Sequence, residues 1–239
     1  MEIRRTDPLN NITWRSGERR TQQTHDRDGR AGYRDFLMEP GRYIAFEGAE
    51  GCGKSTHAAN LAKKLDAILT RETGGTALGQ SIRSILHDPD NTELADRAEA
   101  LLTAADRAQH LAQLVRPALQ LGQHVVSDRS VYSTLAYQGY GRGLPLGELR
   151  QINDWAIEGL WPELVILLDV PVEVLAERMS GRNLDRFERA DAHFHARVRS
   201  GFGEMALADP QRWVVIDGTG FSADVAEQIR LAVLDRIGL

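Results

Sequence analysis

At 239 residues, 42% of them hydrophobic, the chain is long enough for one domain with a substantial core, with or without a tail. A net charge of −5 gives no global basic field, which argues against a nucleic-acid partner, and no apolar run nears the roughly 20 residues of a membrane helix. A single cysteine, Cys52, excludes an internal disulfide and suits a reducing cytosol, so the expected location is cytoplasmic.

The first 40 residues differ from the rest. "RRTDPLNNITWRSGERRTQQTHDRDGRAGYRD" is polar, mixed in charge and without period. It reads as a disordered extension. Its acids argue against an organelle transit peptide, and it lacks an apolar signal core. It is either a flexible tail or the product of an upstream start codon, since Met38 would be a sufficient start. The folded body is expected over residues 41–239.

The first predicted strand is Tyr43–Phe46. "GAEGCGKS", residues 48–55, follows it, and "STHAANLAKKL" then places Ala58, Leu61, Ala62 and Leu65 at helical spacing. Strand, Gly-rich turn and helix together mark a phosphate-binding loop, G-x-x-x-x-G-K-[ST]. Its glycines let successive amides point at an anion, and the helix N-terminus adds partial positive charge. Lysine is rare here: Lys54 is one of three in a chain with 29 cationic residues. A slender ammonium reaches outer phosphates, and the Ser55 hydroxyl suits a magnesium ion. Residues Gly48, Ala49, Glu50, Gly51, Cys52, Gly53, Lys54, Ser55 and Thr56 are the expected nucleotide-binding set. Cys52 reads as a small residue filling a loop position.

Four more strand-like runs follow: Ala67–Thr70, His124–Ser127, Leu164–Asp169 and Trp213–Asp217. "LVILLDV" and "WVVID" are continuously apolar, as strands buried on both faces are. Alternating with helical patterns, they predict a doubly wound α/β domain whose ligands sit beyond the carboxyl ends of the strands. Arginine recurs at those ends: Arg71 in "RETGGT", Arg107 in "AADRAQH", Arg129 in "DRS", and Arg178, Arg182 and Arg186 in "ERMSGRNLDRFER". The last three are spaced by four, which would put them on one face if the segment is helical. The planar fork of arginine suits phosphate oxygens.

Six stretches carry a resemblance: "FEGAEGCGKST", "RETGGTALGQSIRSIL", "AADRAQH", "DRSVYSTLAYQGYGRG", "LLDVPVEV" and "LDRFE". Together they resemble thymidylate kinase, of the subtype without an arginine in the phosphate loop, from about Arg42 to the C-terminus. The resemblance implies the P-loop nucleoside monophosphate kinase fold: a five-stranded parallel sheet, helices on both faces, and a mobile lid at about 178–190. It implies phosphoryl transfer from ATP, with Mg²⁺, to dTMP. Lys54 and Ser55 would bind the ATP phosphates and metal, with Asp128 beside the metal. Glu50 would contact the sugar 3′-hydroxyl, Tyr137 would line the deoxyribose, Arg107 would lie near thymine and Arg129 would hold the acceptor phosphate. Arg182 and Arg186 would fall in the lid. A homodimer is implied as well.

Two positions depart from the family pattern. Thr73 stands where proline is usual, and Thr103 stands where a phenylalanine usually stacks on thymine. Such a stack contributes about 1–3 kcal/mol.

A phosphate monoester has a second pKa near 6, so the acceptor oxygen is already largely anionic at neutral pH and needs no general base. The task is to bring two polyanions together. Because Gly51 replaces a loop arginine, the lid must supply that cation, with Arg182 first and Arg186 second. The catalytic candidates are Lys54, Asp128, Arg129 and Arg182. The nearest rivals are a kinase of different base specificity and a deoxynucleoside kinase, which would need a base such as Glu72. A nucleotide-binding regulator would leave Arg129 and the lid arginines idle.

Overall fold

The computed structural model describes residues 22–25, 31–34, 39–181 and 183–239. The chain divides into two units, Met1–Glu39 and Pro40–Leu239. In the first, β1 (Gln22–His25) pairs antiparallel with β2 (Ala31–Arg34). These two strands lie within the stretch expected to be disordered, and its residues 1–21, 26–30 and 35–38 lie outside the described ones.

The second unit holds a five-stranded sheet: β3 (Tyr43–Glu47), β4 (Ile68–Arg71), β5 (Val125–Asp128), β6 (Leu164–Asp169) and β7 (Trp213–Asp217). Its order is β4-β5-β3-β6-β7, and every neighbouring pair is parallel. The last two strands have the bounds expected from sequence. The first three end one residue later than expected, at Glu47, Arg71 and Asp128, and β4 and β5 also begin one residue later, at Ile68 and Val125. Backbone pairing continues there despite a charged side chain, because the ladder needs only N–H and C=O groups.

Side chains alternate between the two faces, so each face needs a cover. Ile44, Phe46, Leu164, Ile166 and Leu168 pack with α1 (Lys54–Leu65) and α9 (Ser222–Ile237). Val165, Leu167 and Trp213 pack on the other side. Their partners include α2 (Ala77–His87), α3 (Asp96–His110) and α8 (Ala192–Ala208). Fully burying one such side chain stabilises the fold by about 1.5–3 kcal/mol.

Helix α3 continues through a π-helical stretch, Leu111–Val115, into α4 (Arg116–Gln120). The short α5 (Val131–Thr134) runs into a second π-helical stretch, Leu135–Gly141, which carries Tyr137 and Gln138. Widened turns of this kind often re-aim side chains at functional sites. Then come α6 (Leu146–Ile157) and α7 (Val172–Met179).

Helix α7 stops at Met179, and Arg186 lies in a later turn. The four-residue spacing of Arg178, Arg182 and Arg186 is therefore not one helical face. Arg182 lies outside the described residues.

Register sets the site. Phe46 and Arg71 both stand opposite Asp128, so the chain leaves β3, β4 and β5 at one level. β3 is central, with later strands on both sides, and the crevice lies over its carboxyl end.

Candidate active site

The phosphate loop is made mostly of backbone. Gly48, Gly51 and Gly53 all have positive φ, at 138°, 78° and 99°. At Gly48 a Cβ would also sit 2.6 Å from the Leu168 carbonyl oxygen, so no larger residue fits without a shift. Gly53 caps α1 in the left-handed conformation, and no side chain caps that helix. Its first N–H groups stay available for an anion. Lys54 is held by donation from Nζ to the Ala49 carbonyl at 2.7 Å. Ser55 Oγ donates to Asp128 Oδ2 at 2.5 Å, joining the loop to the end of β5. Cys52 is buried behind the loop and does not line the cavity described below.

Arg129 follows β5 with φ of 75°, rare for a residue with a side chain. Its surroundings over-determine that conformation. Its N–H bonds to the Phe46 carbonyl at 2.9 Å. Its guanidinium donates to the Gly48 carbonyl at 3.2 Å, to Ser133 Oγ at 3.0 Å, to Tyr137 Oη at 2.9 Å and to Glu50 Oε1. It also lies 4.9 Å from the centre of the Tyr137 ring. Burial alone would raise the Glu50 carboxyl, but Arg129 and then Lys54 outweigh it and hold that carboxyl well below its usual range. Beneath Arg129, buried Glu47 accepts from Ser130 and Ser133, and burial raises its carboxyl.

A second cluster is almost sealed. Arg107 on α3 is 2% exposed. It donates from Nε to Glu72 Oε2 at 2.8 Å, from Nη1 to Asn153 Oδ1, and from Nη2 to Thr134 Oγ1 at 3.1 Å. His110 Nδ1 lies 3.0 Å from the other Glu72 oxygen, and its Nε2 lies 2.7 Å from Thr70 Oγ1. Burial pushes the Glu72 carboxyl up, but Arg107 and His110 overcome it and leave the carboxyl below its ordinary value. Both Glu72 oxygens are engaged and the group is a weak base. That argues against the nucleoside-kinase rival, which required Glu72 to take a proton.

One cavity of about 140 Å³ joins these parts. Of the expected residues, Glu50, Lys54, Ser55, Arg71, Arg107, Asp128, Arg129 and Tyr137 all line it, and so does Thr103. Thr103 spends its hydroxyl on the Ala100 carbonyl at 2.8 Å and accepts from Thr134 at 3.2 Å. The Glu72–Thr73 peptide on the opposite wall is cis.

Sequence reasoning missed Arg83, His87, Gln138 and Phe187 on this wall. Arg83 was findable, since it sits in "RETGGTALGQSIRSIL" about two turns into α2. Gln138 and Phe187 also sit in quoted stretches, "DRSVYSTLAYQGYGRG" and "LDRFE", and His87 directly follows one.

Near the lid, Arg178 donates to the Gly218 carbonyl at 3.0 Å. Arg186 donates from Nε to the Leu86 carbonyl at 2.8 Å. Its Nη2 stands 2.5 Å from Glu99 Oε2, an ion pair poorly angled for a hydrogen bond. Arg186 is thus engaged by Leu86 and Glu99 in this structure. A Cβ on Gly51 would lie 3.0 Å from Met179 Cγ, so a side chain there would press on the end of α7.

A sequence model described as thymidylate kinase matches residues 46–229. A thymidylate kinase from Halothermothrix orenii is 43% identical over 198 residues, covering 79% of this chain and 94% of that one. One from Chromobacterium violaceum is 46% identical over 197 residues, covering 80% and 92%. The crystal structure of thymidylate kinase from Ehrlichia chaffeensis superposes with a TM-score of 0.68 at 31% identity, covering 81% of this chain and all of that one.

Proposed function

The chain belongs to the thymidylate kinase family, and we propose that the cavity between β3, β4 and β5 is its acceptor site and the phosphate loop its donor site. The reaction is ATP-dependent phosphorylation of dTMP to dTDP, a step toward dTTP. The observation that carries the site assignment is Arg129, fixed between the loop acid Glu50 and Tyr137 at the mouth of the cavity.

The roles are those the family resemblance implies, and the positions of the side chains around the cavity support them. Lys54 and the open N-terminus of α1 hold the ATP phosphates. Arg129, with Arg71, holds the acceptor phosphate and brings it to the loop. Glu50 accepts from the sugar 3′-hydroxyl. Its low pKa keeps it ionised, so it both accepts that bond and orients Arg129. Tyr137 backs the deoxyribose, and Arg107 forms the wall beside the base. Proton removal is not needed, because the acceptor phosphate oxygen is already largely anionic at neutral pH. Catalysis is positioning plus charge stabilisation, with Arg182 as the lid cation.

Ser55 Oγ and Asp128 Oδ2 lie side by side, and paired hard oxygens suit Mg²⁺, which takes few protein ligands beside phosphate. When bound with ATP, the ion would neutralise charge developing on the phosphate oxygens. Among the described residues no helix is long and apolar enough to cross a membrane. We place the enzyme in the cytoplasm as a homodimer, the state the family resemblance implies.

ADP release with thymidine and with dTMP, supplied separately with ATP, tests the acceptor. Turnover is expected with dTMP alone. Turnover with thymidine would overturn the reading.

A further inference from the structure

Glu99 lies in the first turn of α3 and is fully buried. Three side chains from distant segments converge on its carboxylate. Gln138 Nε2 donates to Oε1 at 2.7 Å. Arg142 donates from Nε to Oε1 at 3.4 Å and from Nη2 to Oε2 at 3.2 Å. Arg186 Nη2 stands 2.5 Å from Oε2. None of these contacts enters the roles assigned above.

A carboxylate between two guanidiniums offers acceptor oxygens only. The amide nitrogen of Gln138 must therefore face Glu99, and the amide oxygen is turned away from it. Gln138 lines the acceptor cavity. Among the described residues its Oε1 has no hydrogen-bond partner. The cavity thus presents a fixed acceptor from Gln138, while Arg107, which also lines it, can only donate. Thymine carries a ring N–H between two carbonyls. Cytosine carries a bare ring nitrogen at that point.

We propose that Glu99 is a positioning residue for base selection: it locks the Gln138 amide so that the cavity accepts a hydrogen bond from a ring N–H, and so favours thymine over cytosine. The proposal rests on the reading of the cavity as the acceptor-nucleotide site. Glu99 also fixes Arg186, the neighbour of Phe187, itself a cavity wall. The group that sets base polarity therefore also holds Arg186, within the segment expected to form the lid.

The test compares kcat/KM for dTMP and dCMP, with ATP, in the wild type, in Glu99→Gln and in Gln138→Met. The wild type should favour dTMP strongly, since a site built around a buried polar group rejects a base that leaves it unpaired. A neutral amide at position 99 can accept or donate, so Gln138 becomes free to turn. The preference should then narrow about tenfold or more, mainly through KM for dTMP, with KM for ATP within about twofold of wild type. Gln138→Met keeps Glu99 and its arginines, and should narrow the preference similarly at nearly unchanged Tm.

A purely structural Glu99 would lower Tm and scale both substrates together. A dTMP/dCMP ratio within a factor of two of wild type in folded Glu99→Gln overturns the proposal. If that variant does not fold, an unchanged ratio in Gln138→Met overturns it instead. A wild type that does not prefer dTMP over dCMP removes the acceptor-site reading, and the role of Glu99 with it.

Discussion

The phosphate loop and the acceptor cavity meet at Glu50 and Lys54, yet they are built in opposite ways. The loop is backbone: three glycines at positive φ, an uncapped helix start and one ammonium, all within Gly48–Ser55. The cavity is side chains drawn from six segments and held by buried pairs such as Arg107–Glu72 and Glu99–Arg142. A backbone site carries its polarity in amides that no side-chain substitution removes. A side-chain site depends on partners. Losing one leaves a buried charge unpaired, which costs about 3–5 kcal/mol.

The largest effect should come where the backbone-made loop lacks a charge of its own. Gly51 supplies no cation, so Arg182→Ala should lower kcat on the order of 10³-fold, with little change in KM for dTMP. Steady-state kinetics checks this, and a kcat within about twofold of wild type would remove Arg182 from the mechanism. Adding Gly51→Arg should not rescue the loss, because its Cβ meets Met179 and its φ of 78° disfavours any side chain.

The cavity's dependence on partners is tested at Glu72. Glu72→Gln leaves Arg107 buried without its countercharge and should destabilise the fold by about 3–5 kcal/mol in urea unfolding. The same pair sets an acid limb. The Glu72 carboxyl is held below its ordinary 4.5, so its contribution is complete above that value and drains as pH falls below it. The wild type should lose stability below about pH 4.5, and Glu72→Gln should show a flatter limb there. Parallel limbs would mean the pair does not govern acid stability.

A smaller change is expected from refilling a wall. Thr103→Phe adds a stacking surface worth up to about 3 kcal/mol, but gives up the Thr103 bonds to Ala100 and Thr134. Titration calorimetry should show dTMP binding about three- to tenfold tighter. A sharp loss of affinity would show that another group already uses that face. Smallest of all, a chain beginning at Met38 should match the full chain in Tm and turnover. A clear drop in either would mean that residues 1–37 pack on the domain.

The same contrast governs how much could be read from the sequence. The loop's signal is local, so Gly48 to Ser55 could be assigned from spacing alone, and the strands from continuous apolar runs. Arg129 was marked by a strand end and Arg107 by family resemblance, but their partners were not. Asn153 is 46 residues from Arg107, and Gln138 is 39 from Glu99. A buried polar pair leaves no periodicity in either segment. The condition of a shared helical face for Arg178 and Arg186 is not met, because α7 ends at Met179, and the pairing of Arg186 with Glu99 had no signal in the spacing.

Binding of dTMP to Lys54→Met, measured by titration calorimetry beside its turnover, tests the division between loop and cavity most directly. The loop should serve the donor and the cavity the acceptor. The account predicts dTMP affinity within about threefold of wild type while turnover falls about 10³-fold or more. A tenfold loss of dTMP affinity, or near-normal dTDP formation, would contradict it.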